Sequence, residues 1–447
     1  MIVSDEMKET IIQFGSGNFL RGFADHFIHI LNEKGLYDGK IVIVQPTKGG
    51  KTSILNEQRG KYNLFLRGIE NGEEICEHTE IHSVSRGVDP YVDFSSYLAL
   101  AENPNMRFII SNTTEAGIEF DESCVFCDKP AFSFPGKLTQ LLYHRFELKL
   151  PGFVILPCEL IDNNGDELKK CVFKYAEYWE LDNGFIDWVK NENIFCNSLV
   201  DRIVTGYPKD EAEELGKNID YEDNLMNTAE PFHLWVIEGN FENELPFKKA
   251  GLNVIWTDDV STYKKMKVRI LNGSHTALVF PSLLCGTETV KDSIDDKNLN
   301  EYLNTFLFGY ILPTLGETEE NIAFAKSVIE RFSNPYIKHL WKSIALNSVS
   351  KFSVRVLPTI LDYAETNGIL PKPLVFSLAC LIEYYKTNEP NDNEKAVSFI
   401  KENSVSDILS NTELWGKNLS TMTELVTESI DRIHSEGIRE AIKWAIS

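Results

Sequence analysis

Four short apolar runs rich in β-branched residues, separated by stretches of helical periodicity, constrain the first half of this chain most. They are "TIIQF" (10–14), "KIVIVQP" (40–46), "RFIISNT" (107–113) and "FVILPCEL" (153–160). Runs that are apolar at nearly every position belong to strands buried on both faces, as in a parallel sheet clothed by helices. Between the first two, residues 20–35 place Phe23, Phe27, Ile30 and Leu31 at three-to-four spacing and stop at Gly35. Residues 136–148 repeat the pattern with Leu138, Leu141, Leu142 and Phe146. Strand, helix, strand in this order predicts a doubly wound α/β domain.

Past about residue 256 the strand signal fades. Long amphipathic patterns follow, such as "NIAFAKSVIERF" and "KPLVFSLACLIEYYKT", and they predict a mainly α-helical C-terminal domain. The turn-rich run "GLNVIWTDDVSTY" places the boundary so that residues 1–255 form the first domain and 256–447 the second. A chain of 447 residues is too long for one ordinary core, which agrees with two domains.

With 67 acidic against 44 basic residues the net charge is -23, and such a surface repels phosphodiester backbones and anionic lipid. Nucleic acid and membrane are excluded as expected partners. The apolar runs fall well short of the roughly 20 residues that a membrane span needs. The acidic N-terminal stretch lacks the basic and apolar regions of a secretory signal. Eight cysteines without framework spacing suit a reducing cytoplasm. Cys124 and Cys127 have CxxC spacing, but no second pair or histidine stands in register, so they read as loop thiols and no metal is expected.

"IIQFGSGNFLRGF" sets the first strand directly against Gly15 and Gly17 and then a helix. A dinucleotide fold puts its pyrophosphate here, because glycines let the backbone approach the anion and the helix start supplies free N–H groups. The strand end and turn together make the expected cofactor stretch: Ile11, Ile12, Gln13, Phe14, Gly15, Ser16, Gly17, Asn18, Phe19, Leu20, Arg21 and Gly22. Leu20 stands where a third glycine is usual, so the helix is expected to sit farther from its strand. Arg21 alone reads as solvent-facing, or else as a phosphate contact. The second strand ends in "VQPTKGGK". There Gln45 can meet a ribose hydroxyl but repels no 2′-phosphate, while Lys48 and Lys51 tolerate one, which predicts a weak preference for NAD over NADP.

The stretch "KVRILNGSH" (267–275) carries Lys267, Asn272 and His275 in a helical context. At about 100° per residue, Asn272 lies near 140° from Lys267 and His275 falls between them, so all three can face one cleft. Apolar neighbours Val268, Ile270 and Leu271 disfavour a charged lysine, which suits an acid or base. An asparagine amide can donate to a developing alkoxide, and an imidazole can orient a hydroxyl. Gly273 weakens a helix by about 1 kcal/mol and signals the close approach of a ligand or strand.

K-x(4)-N-x(2)-H resembles the signature of the polyol-specific long-chain dehydrogenases, the mannitol dehydrogenase family. The similarity continues through "QFGSGNFLRGF", "NTTEAGI" (112–118), "CNSLVDRI" (196–203), "EPFHLWVIEG" (230–239) and "NSVSKFSVRVLP" (347–358). It implies an N-terminal Rossmann-type domain, a helical C-terminal domain, NAD as cofactor and no zinc. It further implies Lys267 as general acid and base, Asn272 as alkoxide stabiliser, His275 as substrate ligand, and Asp201 as an acid lining the site; alone, Asp201 reads as a helix cap. "LPCELIDNNGDEL" and "VIWTDDV" look most like family members that act on sugar acids. Leu160 replaces the asparagine that mannitol-type members carry, and Asn164 is the substitute candidate. A small-molecule sugar acid needs cationic donors, which Lys351 and Arg355 supply in a segment that reads as loop-to-strand. The rival readings are a family member acting on another sugar acid or a polyol, and a dinucleotide sensor without catalysis. Nothing in the pattern sets an oligomeric state.

Overall fold

The computed structural model describes residues 7–114 and 117–447. It divides into two compact units, one ending in Arg67 and resuming over Ile75–Ser261, the other made of Gly68–Glu74 and Thr262–Ser447. The second unit thus begins six residues beyond the position read from sequence and also takes in the tip of a hairpin.

The first unit is built on a six-stranded parallel sheet. Its strands are β1 (Glu9–Phe14), β2 (Lys40–Val44), β3 (Val84–Val88), β4 (Phe108–Ser111), β5 (Val154–Pro157) and β6 (Ile194–Phe195). They lie in the order β3-β2-β1-β4-β5-β6. Every pairing is parallel, with Phe14 level with Val44 on one side and Ser111 on the other. The order reverses between β1 and β4, so a crevice opens beyond the carboxyl ends of those two strands.

Alternation along β1 explains why Ile11, Ile12 and Phe14 are all apolar. Ile11 packs with Phe23, Phe27 and Ile28 on one face, while Ile12 and Phe14 pack with Tyr97, Leu138 and Leu141 on the other. The helix expected over 20–35 is two pieces, α1 (Asn18–Arg21) and α2 (Ala24–Glu33), with Gly22 and Phe23 at the break. The helix read from 136 starts at Phe134, where the Ser133 side chain accepts from the Gly136 N–H. Two smaller sheets were not legible in sequence. One joins Tyr62–Glu70, Glu73–Ile81, Val204–Gly206 and Asn227–Ala229, and the other Ser198–Asp201, Leu234–Glu238 and Val254–Thr257.

The second unit is helical apart from its hairpin segment. A long helix runs from Ser261 to Leu284 through a π-turn at Val268–Asn272, and it packs on the buried helix Lys372–Thr387. The loop-to-strand reading of 347–358 is corrected here. Ser348–Arg355 and Leu357–Asn367 are helices, and Val349, Phe352 and Val356 turn one helical stripe into the core. No helix among the described residues is long and apolar enough to cross a membrane.

Candidate active site

The turn after β1 shows why its glycines are there. Gly15 has φ +132°, and a Cβ on it would stand 2.8 Å from the Asn112 carbonyl oxygen, the next strand end across the crevice. Gly17 is different: its φ of -69° suits any residue, yet a Cβ there would meet nothing within 4 Å. Its lack of a side chain keeps space open in front of the first N–H groups of α1, which an α-helix leaves unpaired. That space and those donors fit an approaching pyrophosphate. The close-packing glycine is Gly22, where a Cβ would crowd Val204 and Asn227 at 3.0 and 3.1 Å. Leu20 is buried beneath the turn, its Cδ1 3.3 Å from a Cβ built on Gly15, so it fills the space between α1 and the sheet.

Several expected cofactor residues are occupied by the protein itself. Ile11, Ile12, Phe14 and Leu20 have side chains in the two cores, so they meet a ligand at most through backbone. Gln13 donates to the Gly15 carbonyl at 3.2 Å, and Phe19 stacks on Phe23. Arg21 does not face solvent. It is buried, donating to Asn18 Oδ1 at 2.7 Å, to the Ser16 carbonyl at 3.3 Å and to the Leu225 carbonyl, with its guanidinium over Tyr62. It staples the turn instead. Gln45 is likewise buried: its amide nitrogen donates to Asp89 Oδ2 at 2.9 Å and its oxygen accepts from the Thr52 hydroxyl at 2.7 Å, which leaves it a single N–H for a ligand. Ser16, Gly17 and Asn18 remain at least partly exposed. Glu115 and Ala116 of the "NTTEAGI" motif lie outside the described residues.

Asn164 is also corrected. Its amide donates to the carbonyls of Pro157, Glu159 and Ser198, and its oxygen accepts from the N–H groups of Gly165 and Ser198. It clamps β5 to its neighbours and has nothing left for an alkoxide. Leu160 is 62% exposed. Asp201 ends the strand Ser198–Asp201 and is buried, so it is not a helix cap. Sequence reasoning missed Glu159, a buried carboxylate beside the crevice that accepts from Ser111, Thr113 N–H and the Thr113 hydroxyl. Burial raises its pKa. Of the CxxC pair, Cys124 is buried and accepts from Ser133 N–H, while Cys127 is exposed.

In the second unit, the π-turn changes the geometry read from a regular helix. The Gly273 N–H reaches back to the Val268 carbonyl, an i→i+5 bond, and such a turn brings residue i+5 nearly over residue i. Lys267 and Asn272, five apart, are therefore aligned more closely than 140°, and His275 follows one turn on. Gly273 is the hinge of this arrangement. Its missing Cβ would stand 3.1 Å from the Arg355 carbonyl, so the close neighbour is a helix end rather than a strand.

Lys267 and Asn272 are half-buried, whereas Arg269, Ile270 and Leu271 form the buried side of the turn. Lys267 is therefore less desolvated than its apolar neighbours in sequence suggest. The His275 ring stacks on Phe332 at 4.1 Å and meets the His339 ring edge-on at 5.0 Å. Its Nε2 is buried and has no hydrogen-bond partner among the described residues. Burial first, then the charges of His339, Arg331 and Arg355, hold its pKa well below the ordinary histidine range, so the ring is neutral. Arg355 lies beside it, partly buried, with no ion pair or side-chain hydrogen bond among the described residues, and burial lowers its pKa. Lys351 uses one of its three donors on the Ile344 carbonyl at 2.9 Å. His339 and Arg331 were not singled out in sequence, because only the fold sets them against His275.

A doubly wound parallel sheet, with a glycine turn at the end of its central strand, defines a dinucleotide-binding domain of an oxidoreductase. Residues 9–249 match the model of the mannitol dehydrogenase Rossmann domain, and residues 259–435 that of the mannitol dehydrogenase C-terminal domain. The chain belongs to the mannitol dehydrogenase family. Among its relatives, altronate oxidoreductase of Bacillus subtilis is 43% identical over 458 residues, covering 98% of this chain and 95% of that protein. The altronate oxidoreductase of Bacteroides thetaiotaomicron is 40% identical over 464 residues, covering 98% and 97%. A substrate-free D-sorbitol dehydrogenase has the same fold, with a TM-score of 0.85 and 24% identity over 98% of this chain and 96% of that one. So does the Pseudomonas fluorescens mannitol 2-dehydrogenase solved with NAD and D-mannitol, at 0.70 and 21% over 98% and 94%.

Proposed function

We propose that this chain interconverts D-altronate and D-tagaturonate with NAD, using Lys267 as the acid and base. The observation that carries the reading is near-full-length identity of about 40% to proteins named altronate oxidoreductase. Arg355 supports it. A partly buried guanidinium with no carboxylate of its own, in a chain of net charge -23, is a local place for the substrate's carboxylate to dock.

NAD, when bound, supplies the hydride acceptor for the alcohol carbon. Lys267 Nζ takes the hydroxyl proton in oxidation and returns it to the carbonyl oxygen in reduction. The Asn272 amide, one π-turn away, donates to that oxygen as its charge develops. Neutral His275 has one ring nitrogen that donates and one that accepts, and it fixes a neighbouring hydroxyl. Fructuronate or a polyol would use the same chemistry: the pocket's cations favour either sugar acid over the polyol, and the fit of the hydroxyls decides between the two acids.

Purified protein with NADH should reduce tagaturonate with a higher kcat/KM than fructuronate or fructose. Faster turnover of fructuronate would make it a fructuronate reductase. Absence of turnover with any of these carbonyl substrates, while NADH still binds, would favour the sensor.

A further inference from the structure

At the carboxyl ends of β2 and β3 lies a cavity of about 540 Å³, lined among others by Gln45, Thr52, Arg86, Asp89, Asp93 and Ser96. In a doubly wound sheet of this strand order, that side of the reversal point receives the adenosine half of a dinucleotide. The second strand usually carries the acid that pairs with the 2′-hydroxyl. Here that position is Gln45, which carries no charge and whose amide is held by Asp89 and Thr52.

The engagement itself points to the replacement. Gln45 Nε2 donates to Asp89 Oδ2 at 2.9 Å, and the Tyr91 N–H donates to Asp89 Oδ1 at 2.9 Å. A carboxylate offers about four acceptor sites, so Asp89 is fixed in orientation by two and keeps two. Its charge is not cancelled by the cations nearby. Arg86 is taken by Glu9 in a two-point pair at 2.8 and 3.0 Å. Lys48 sits over the Tyr91 ring, and neither it nor Lys51 is among the cavity's lining residues. The other acid, Asp93, caps the helix Phe94–Glu102 and is held down to about 2 by hydrogen bonds from Ser95 and Ser96, so it stays charged.

We propose that Asp89, carried by the loop after β3, binds the adenosine ribose hydroxyls and rejects a 2′-phosphate, doing from the third strand what the second strand's Gln45 cannot. The preference for NAD is then strong, contrary to the weak one that the sequence of β2 predicts. The proposal rests on the dinucleotide cofactor of the preceding reading.

Fluorescence titration of NADH and NADPH into wild type, Asp89→Asn and Asp89→Ala tests it, with thermal melts to confirm that each variant is folded. Wild type should bind NADH far more tightly than NADPH. Both variants should narrow that ratio by about ten-fold or more, chiefly by tightening NADPH as one unit of repulsion is removed. An unchanged ratio in the folded variants, or equal affinities in wild type, overturns the proposal and leaves the substrate reading intact. Failure of wild type to bind either dinucleotide overturns the cofactor reading and this proposal with it. If neither variant folds, ADP-ribose and its 2′-phosphate are compared on wild type, and equal affinities refute it.

Discussion

The acid and base role proposed for Lys267 has a sharp kinetic signature. Oxidation needs the neutral amine and reduction the ammonium, so altronate oxidation should rise with pH through one ionisation and tagaturonate reduction should fall through a related one. Lys267→Ala and Lys267→Met should each lose roughly 10²-fold to 10⁴-fold in kcat while keeping their affinity for NADH. Rate-against-pH curves for wild type and Lys267→Ala decide it; a variant that kept its activity and its inflection would move the base elsewhere. Arg355→Ala should lose a charge-assisted bond of roughly 1.5 to 3 kcal/mol, or about ten-fold to a hundred-fold in kcat/KM for altronate. Unchanged kinetics would place Arg355 outside the pocket. Lys267, Asn272 and His275 could be singled out as candidates because their spacing is written locally in the chain. Asn164 and Arg21 were misread, and Gln45 is more constrained than its sequence suggests, for a common reason: sequence shows which donors a side chain owns, not which are already taken. All three are held by groups at least five residues away as well as local ones, such as Ser198 for Asn164, Leu225 for Arg21 and Asp89 for Gln45.

At the scale of elements, two glycines make opposite predictions. Gly17→Val adds a side chain where the protein has no atom within 4 Å and where φ is ordinary. Stability should change little, within about 0.5 kcal/mol, while NADH affinity should fall at least about ten-fold, equivalent to 1.4 kcal/mol. Titration and melting on the same preparation check both. Gly273→Ala pushes a methyl to 3.1 Å from the Arg355 carbonyl and 3.4 Å from that of Val268. Such overpacking costs roughly 1 to 3 kcal/mol, and the displacement of Arg355 relative to Asn272 should lower kcat/KM as well. A stable, fully active Gly273→Ala would mean that the contact yields without consequence. The four sheet-forming runs could be read because both faces are buried, which leaves an unbroken apolar signal. Glu73–Ile81 could not, since most of its residues are exposed and its sequence is "EEICEHTEI". The helix Ser348–Arg355 was read as extended because Val349, Val354 and Val356 are β-branched, and tertiary burial of one stripe outweighs that propensity. The π-turn has no sequence mark beyond Gly273.

For the molecule as a whole, acid should be destabilising in a calculable way. His29 and His233 are both pushed down to about 4 chiefly by burial, and His26 is lowered well below its usual range by burial and Arg202. Each binds a proton more readily unfolded, so its stabilising contribution is present above pH 6.5 and is lost as pH falls, at about 2 kcal/mol each for His29 and His233 between 6.5 and 5. Asp25 has the opposite sign. Burial raises it to about 7, so between 3.8 and 7 the folded state holds a proton that the unfolded state has released, and acid favours folding there. Wild type should therefore lose melting temperature from pH 7 to 5, and Asp25→Asn should lose it more steeply. A flat profile in both would place these groups in solvent-like surroundings. The parallel sheet carries a further consequence, for the order in which the molecule is made. Its central strand, β1, is the first to be synthesised, and its partner β4 follows about 90 residues later. At ribosomal speeds of roughly 5 to 20 residues per second, β1 waits about 5 to 20 seconds for the second of its two neighbours. Through that interval Ile11, Ile12 and Phe14 belong to an unfinished edge, so the strand on which the cofactor turn depends is also the one most in need of protection in the nascent chain.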